Sequence, residues 1–100
     1  MTFEFLDPAV REFEEAYNWY AERAERAAEG FRRTVRQAIA RAIANPTSAG
    51  FLIGKRSRKI RLEPYRYGLI YFVYGEVLCV VAIASNRRPP QYWKRRIKNA

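Results

Sequence analysis

The sequence predicts an α+β fold, β-α-α-β-β-β, in which a helical hairpin packs on a small, mainly antiparallel β-sheet. Up to residue 43, apolar residues recur at steps of three and four, which is the spacing of one helix face. From residue 55 the period changes to two, and residues 67–74 and 77–84 have strongly strand-like compositions. The length of 100 residues fits a single domain over residues 1–100.

The first two elements are predicted to be a strand at residues 2–5 and a helix that starts at Asp7-Pro8. Asp7 suits the N-cap, and Pro8 suits the first helical position, where a missing N–H leaves no bond unmade. The apolar face of this helix is predicted to consist of Val10, Phe13, Tyr17, Tyr20 and Ala24.

A second helix is predicted after Gly30, which we interpret as the break between the two helices. Asn45-Pro46 would end it, because the residue before a proline disfavours helical backbone. So short a break makes the two helices an antiparallel hairpin. The apolar face of the second helix is predicted to consist of Phe31, Val35, Ala38, Ile39, Ala42 and Ile43.

The rest of the chain is predicted to be a loop followed by three strands. TSAGFLIG, residues 47–54, is interpreted as the loop, and KIRL, residues 59–62, alternates charged and apolar side chains as a strand does. Gly75-Glu76 suits a two-residue hairpin turn between the last two strands. Because both faces of that hairpin are apolar, the C-terminal segment or another polypeptide is expected to cover the face that the helices leave open.

Charge is distributed unevenly along the chain. The sequence has 19 Lys and Arg residues against 10 Asp and Glu, a net charge of +9. Residues 1–30 hold 8 acids and 3 bases, whereas residues 31–100 hold 2 acids and 16 bases. The basic part is therefore expected to meet an anionic partner: nucleic acid, an acidic protein or, least favoured, an anionic lipid surface.

Several classes of function are disfavoured by composition. No run of about 18 apolar residues exists to span a membrane, and the first ten residues lack the basic region of a signal peptide. The single cysteine, Cys79, cannot form an internal disulfide and is interpreted as a small buried hydrophobe in a cytoplasmic protein. The absence of histidine excludes histidine-based catalysis and disfavours zinc, so we expect no metal and no cofactor.

The first basic segment that could bind an anionic partner is KRSRKIRLE, residues 55–63. Strand alternation puts Lys59 and Arg61 on the same face, about 7 Å apart, where both could address one phosphate chain or one acidic segment. The alternative is a solvated edge strand whose charges prevent unwanted pairing. The candidate binding residues of this segment are Lys55, Arg56, Arg58, Lys59 and Arg61.

The second basic segment is SNRRPPQYWKRR, residues 85–96, which follows the last predicted strand. Arginine side chains bind phosphates and carboxylates through two parallel bonds, and they also stack on aromatic rings. The alternative is that Trp93 only covers the core and that Arg88 stacks on it. The candidate residues here are Arg87, Arg88, Tyr92 and Trp93, together with Arg66, which lies between two tyrosines.

Four segments make the chain resemble the RelE/ParE superfamily of bacterial type II toxins over nearly its whole length. They are EFEEAYNWYAER, EGFRRTVRQAIARAIANP, KIRLEPYRYGLIYFVY and AIASNRRPPQYWKRR. The resemblance implies a cognate antitoxin that wraps an acidic, partly disordered segment around the toxin. It also implies that the chain leaving the last strand belongs to the functional rim.

The superfamily divides by target. RelE-like members cut messenger RNA on the ribosome, whereas ParE-like members inhibit DNA gyrase. The resemblance implies that Lys59 and Arg61 match two strand bases of the RNA-cutting set. Arg88 matches the arginine after the last strand, and Tyr92 matches the tyrosine beyond it, with a shift of two residues.

Two positions depart from the RNA-cutting pattern. Gly68 stands where an arginine is expected, and Ser85 stands where many relatives carry a histidine. RNA cleavage needs a proton acceptor, and only Lys59, Glu63 or Tyr92 could supply one here. The predicted function is therefore ParE-like inhibition of gyrase without catalysis, with a ribosome-dependent messenger RNA endonuclease or an inactive family member as the alternatives.

Overall fold

The computed structural model describes residues 1–97 and has the predicted α+β architecture, with two helices on one face of a sheet. Residues 98–100 of the predicted domain lie outside the described residues. The elements are β1 (Thr2–Phe5), α1 (Asp7–Ala21), α2 (Glu25–Ala44), β2 (Phe51–Ile53), β3 (Ser57–Arg61), β4 (Tyr67–Tyr74), β5 (Val77–Ser85) and a 3₁₀ helix (Tyr92–Arg96). The strand order is β1-β5-β4-β3-β2; β1 runs parallel to β5, and the other neighbours are antiparallel.

The sheet has one strand more than the sequence predicted. Residues 47–54 were expected to form a loop, but Phe51–Ile53 pair with β3 as the antiparallel edge strand β2. Three residues are too few to show a period of two, which is why this strand carries no clear sequence signal. Phe51 and Leu52 remain exposed on β2.

The predicted break between the helices at Gly30 is wrong. The helices are separated by residues 22–24, where Ala24 adopts an extended backbone with φ −162° and ψ 116°. Gly30 lies inside α2 instead. The predicted start of α1 is also off by one residue, since Leu6 is the N-cap, with no side-chain cap, and Asp7 is the first helical residue.

The predicted apolar face is correct for α2 and only partly correct for α1. In α2 the predicted residues pack into the core. In α1, Phe13 and Tyr20 pack against the core, but Val10 is exposed, and the fully buried residues are Ala9 and Ala16. Ala24, which was predicted on this face, is exposed and lies between the helices. The side of α1 that contacts the sheet is therefore centred on the small alanines and not on the large apolar residues.

Both faces of the β4–β5 hairpin are covered over most of its length, as its sequence predicted, but Tyr74 at the end of β4 is 71% exposed. Leu69 and Tyr71 face the helices, whereas Ile70 packs on the opposite face with Trp93 and Ile97. The C-terminal segment is therefore the cover for the second face. The turn joining these strands has Gly75 at φ +59°, the left-handed conformation that favours glycine in the first position of such a turn.

A β-bulge in β5 interrupts the pairing with β4. Tyr71 pairs with Val80 and Ile70 pairs with Ala82, so Val81 has no partner opposite it. The extra residue lets Val80 face the helices while Val81 and Ala82 both face the opposite side. On the other edge of β5, pairing with β1 ends here, since the Leu6 N–H donates to the Val80 carbonyl at 3.0 Å and the chain then turns into α1.

Gly30 is explained by an aromatic cluster at the end of the helical hairpin. The Tyr65 ring lies 5.1 Å from that of Tyr20 and 5.3 Å from that of Phe31, and the Tyr65 hydroxyl donates to the Ala27 carbonyl at 3.3 Å. A Cβ at position 30 would overlap the Tyr65 hydroxyl oxygen, although it would lie 3.7 Å from ring carbon Cζ. The glycine therefore makes room for one hydroxyl group.

This packing predicts that the effect of Gly30→Ala on stability changes sign with residue 65. In the wild-type chain the overlap should outweigh the helix-propensity gain of about 1 kcal/mol, lowering the free energy of unfolding by about 1 kcal/mol. In a Tyr65→Phe background the hydroxyl is gone, and the same substitution should raise that free energy. Urea unfolding of the four variants checks this, and an effect of the same sign in both backgrounds would contradict it.

Candidate functional site

Basic side chains lie close together where the C-terminal ends of β3 and β5 meet the same end of the sheet. The Asn86 N–H donates to the Arg66 carbonyl at 3.0 Å, which joins the chain leaving β5 to the loop that precedes β4. Asn86 separates two neighbouring grooves: one of about 180 Å³ lined by Lys59 and Arg88, and one of about 210 Å³ lined by Arg61 and Arg66. We call the following set the basic rim: Lys59, Arg61, Arg66, Arg87 and Arg88.

The segment after β5 turns back across the end of the sheet. The Arg88 N–H donates to the Ser85 carbonyl at 3.1 Å, and the Arg87 N–H donates to the Ser85 hydroxyl at 3.2 Å. Gln91 then adopts the left-handed conformation with φ 59° as the N-cap of the 3₁₀ helix. These turns place the 3₁₀ helix on the sheet face opposite α1 and α2.

Arg88 stacks on Tyr92. The carbon at the centre of its guanidinium lies 4.0 Å from the centre of that ring, so the expected alternative of stacking on Trp93 is wrong. The Trp93 side chain is 2% exposed and packs in the core with Ile70 and Val81. Trp93 therefore supports the rim from below, and burial removes it from the surface that a partner could touch.

Glu12 on α1 joins three parts of the molecule that sequence reasoning did not connect. Its carboxylate accepts bonds from the Tyr92 hydroxyl at 2.5 Å, from the Ile83 N–H at 3.1 Å, and from two N–H groups of Arg96 at 2.8 and 3.0 Å. Arg96 also donates to the Val81 carbonyl at 3.1 Å. The side chains of Glu12 and Arg96 are only 13% and 20% exposed, so this is a largely buried ion pair.

No local signal in the sequence identifies Glu12. It is one of six acids on residues 12–29, and its bonding partners follow 71 to 84 residues later in the chain. Only the tertiary fold distinguishes it from its exposed neighbours Glu14 and Glu15.

The Tyr92 phenol is committed to this network. Burial, and then the bond to Glu12, raises the pKa of Tyr92 above its ordinary value near 10. The hydroxyl proton is donated to a carboxylate, so at neutral pH this oxygen is protonated and its one donor is already in use. Tyr92 thus presents an aromatic surface to Arg88, and its oxygen is poorly placed to accept a proton from a substrate.

Lys59 lies over the glycine that distinguishes this chain from the RNA-cutting pattern. A Cβ on Gly68 would overlap the Lys59 Cε and would lie 3.2 Å from its Cδ and Cγ. Gly68 therefore gives the lysine chain room to lie flat across β4 toward Ser85 and Arg88, which line the same groove.

Three predicted binding residues lie away from the rim. Arg58 points to the helical side, where its side chain donates to the carbonyls of Ala49 at 2.8 Å and Gly50 at 3.4 Å and so holds the loop before β2. Lys55 and Arg56 lie in the turn between β2 and β3, at the opposite end of β3 from Arg61. They therefore lie outside the basic rim.

Within residues 1–97, no group of three or more His, Cys, Asp and Glu side chains is arranged to bind a metal ion. In the same part of the chain, no helix combines the length and apolar character needed to cross a membrane.

Comparison with known proteins identifies a family and a similar fold among solved structures. The model of the family described as "ParE toxin of type II toxin-antitoxin system, parDE" matches residues 3–90. A solved structure described as a chromosomal ParDE TA system from P. aeruginosa is similar, with a TM-score of 0.70 and 17% sequence identity. That match covers 85% of this chain and 95% of the other. No curated protein matches the chain in sequence.

The buried ion pair predicts that Arg96→Met destabilises the fold strongly. The Glu12 carboxylate would stay largely buried without its guanidinium, which should lower the free energy of unfolding by about 3 kcal/mol. Arg95→Met, in the same 3₁₀ helix but exposed, is the matched control and should change it by less than about 0.5 kcal/mol. Thermal and urea unfolding measure both variants, and equal effects would show that the Glu12–Arg96 pair is not what stabilises this region.

Proposed function

The chain belongs to the ParE toxin family of type II toxin–antitoxin systems, and from this premise we propose that it arrests growth by inhibiting DNA gyrase without cutting a substrate. We further propose that it acts in the cytoplasm and that a cognate antitoxin neutralises it. The proposal rests on the family and on one observation in the site: the Tyr92 hydroxyl, which lies beside Arg88, already donates its proton to Glu12 and is not free to act as a general base.

The state of Tyr92 carries the argument against cleavage. Of the three groups that sequence reasoning offered as proton acceptors, Tyr92 already donates its proton to Glu12 and has a raised pKa. Glu63 lines the groove of Arg61 and Arg66, on the other side of Asn86 from Lys59 and Arg88. Attack by a ribose hydroxyl needs an acceptor within hydrogen-bond reach of the proton that it removes. Neither Tyr92 nor Glu63 therefore supplies a proton acceptor beside Arg88.

The charges of the rim support an anionic partner. Within residues 1–97, the cations in ion pairs are Arg23 and Arg96, so the rim arginines and Lys59 have no acidic partner among the described residues. An acidic, partly disordered antitoxin segment would supply the missing charges, and the guanidinium of Arg88 is exposed although it lies over the Tyr92 ring.

A ribosome-dependent ribonuclease remains the second candidate function because of one observation. Lys59, Arg88 and Tyr92 line a single groove, as the resemblance to the RNA-cutting set implies. In that case messenger RNA on the ribosome would be the anionic partner, and Lys59 would be the remaining group able to accept a proton.

The rim predicts a loss of antitoxin binding without a loss of stability. Arg88→Ala and Arg61→Ala should each weaken binding of the protein encoded by the neighbouring gene by about 1–3 kcal/mol, because each removes charged hydrogen bonds. Both side chains are exposed, so the melting temperature should change little. Arg33→Ala, on the exposed surface of α2, is the control. Calorimetric titration measures the affinities, and equal weakening by all three variants would contradict a rim-specific contact.

Gyrase inhibition predicts a specific cellular response. Expression of the chain alone should arrest growth, with relaxed or broken plasmid DNA and intact messenger RNA, and co-expression of the neighbouring gene should restore growth. Plasmid supercoiling and a map of messenger RNA ends, taken from the same culture, separate the two candidate functions. New message ends at codon spacing, with supercoiling unchanged, would contradict gyrase inhibition, and normal growth would identify an inactive family member.

A further inference from the structure

We propose that Glu12 is a positioning residue for the basic rim, because its carboxylate fixes the Tyr92 ring on which the Arg88 guanidinium stacks. The inference rests on the proposed function in one respect, namely that the rim is the surface that binds a target or antitoxin. The positioning itself is a property of the isolated chain and can be measured without any partner.

The Glu12 carboxylate is held independently of Tyr92. Oxygen Oε1 accepts from the Ile83 N–H of β5 and from Arg96, while Oε2 accepts from Arg96 and from the Tyr92 hydroxyl. The bonds to Ile83 and Arg96 fix the carboxylate against the sheet, so Oε2 has a defined position before Tyr92 is considered. The phenol is then fixed at both ends, by its backbone in the 3₁₀ helix and by its hydroxyl.

Fixing the ring restricts Arg88. An exposed arginine is free to sample many rotamers, and ordering it on binding costs conformational entropy. The ring centre lies 4.0 Å from the guanidinium carbon of Arg88, which selects one orientation of the planar group before any partner arrives. Glu12 therefore acts on Arg88 through Tyr92, with no contact of its own to a partner required.

The helical hairpin contains a matched control of the same chemistry. The Tyr17 hydroxyl donates to Glu29, and the Arg32 guanidinium lies 5.2 Å from the centre of the Tyr17 ring. This trio links α1 to α2 on an exposed surface and contributes no residue to the rim. Glu29→Gln thus makes the same chemical change as Glu12→Gln at a place where the rim should not respond.

The direct test is the side-chain Nε–H resonance of Arg88 in the ¹⁵N-labelled full-length chain. Stacking on Tyr92 should shift this resonance upfield through the ring current. Tyr92→Phe should abolish the shift because it removes the hydroxyl that holds the ring, and Glu12→Gln should do so because it replaces one of the two acceptor oxygens, which serve four donors, with an NH2 group. Glu29→Gln should leave the shift unchanged. Circular dichroism confirms that each variant is folded.

The functional test is the growth arrest caused by each variant expressed alone. Glu12→Gln should weaken the arrest by no more than Arg88→Ala does, and the double variant should cause the same arrest as Arg88→Ala alone. Additive losses would show that Glu12 acts by a route other than Arg88 and would overturn the proposal. Glu29→Gln should leave the arrest unchanged.

Two further results distinguish a failure of the positioning role from a failure of the proposed function. An Arg88 shift that persists in folded Glu12→Gln or in Tyr92→Phe overturns the positioning role. Should Glu12→Gln fail to fold, Tyr92→Phe decides alone, because it keeps the Glu12–Arg96 pair. A lost shift with unchanged growth arrest supports the positioning role and instead counts against the rim as the surface that carries toxicity.

Discussion

The fold depends on one constraint: the backbone N–H and C=O groups of β5 need hydrogen-bond partners beyond the point where β1 ends. β5 continues to Ser85 after its pairing with β1 stops at Val80. Beyond that point, the Val81 carbonyl and the Ile83 N–H have no β1 residue to pair with. A buried peptide group without a partner costs free energy comparable to a lost hydrogen bond. Glu12 accepts from the Ile83 N–H, and Arg96 donates to the Val81 carbonyl, so two side chains replace the missing strand.

This replacement ties the first helix to the end of the described chain. A buried ion pair is weak evidence of net stabilisation, because desolvation opposes the attraction between the charges. Its effect here is to fix geometry: Arg96 can reach Glu12 only if the 3₁₀ helix crosses the sheet, and that crossing sets Trp93 and Ile97 over Ile70. The cover of the second sheet face and the position of the rim therefore follow from the same contact.

Sequence reasoning succeeded where the information is local and failed where it is not. The strand pattern of residues 67–74 predicted β4 with its observed bounds, and the predicted apolar face of α2 was correct. Both are local patterns, because strands repeat every two residues and helices every 3.6. Gly30 was misread as a helix break because its cause, the Tyr65 hydroxyl, lies 35 residues further along the chain. Glu12 was missed for the same reason, since its sequence neighbours are acids with no such partners.

The chemistry of the rim follows from how firmly each cation is held. A ribonuclease must present charge at a fixed position where negative charge develops in the transition state. Arg88 meets that demand through its stack on Tyr92. Gly68 supplies no second guanidinium and instead gives room to the Lys59 side chain. An ammonium on a flexible stem offers charge without a directed fork of donors. The combination of a directed Arg88 and an adaptable Lys59 supports the proposal that the rim binds an anionic surface and does not react with a phosphate.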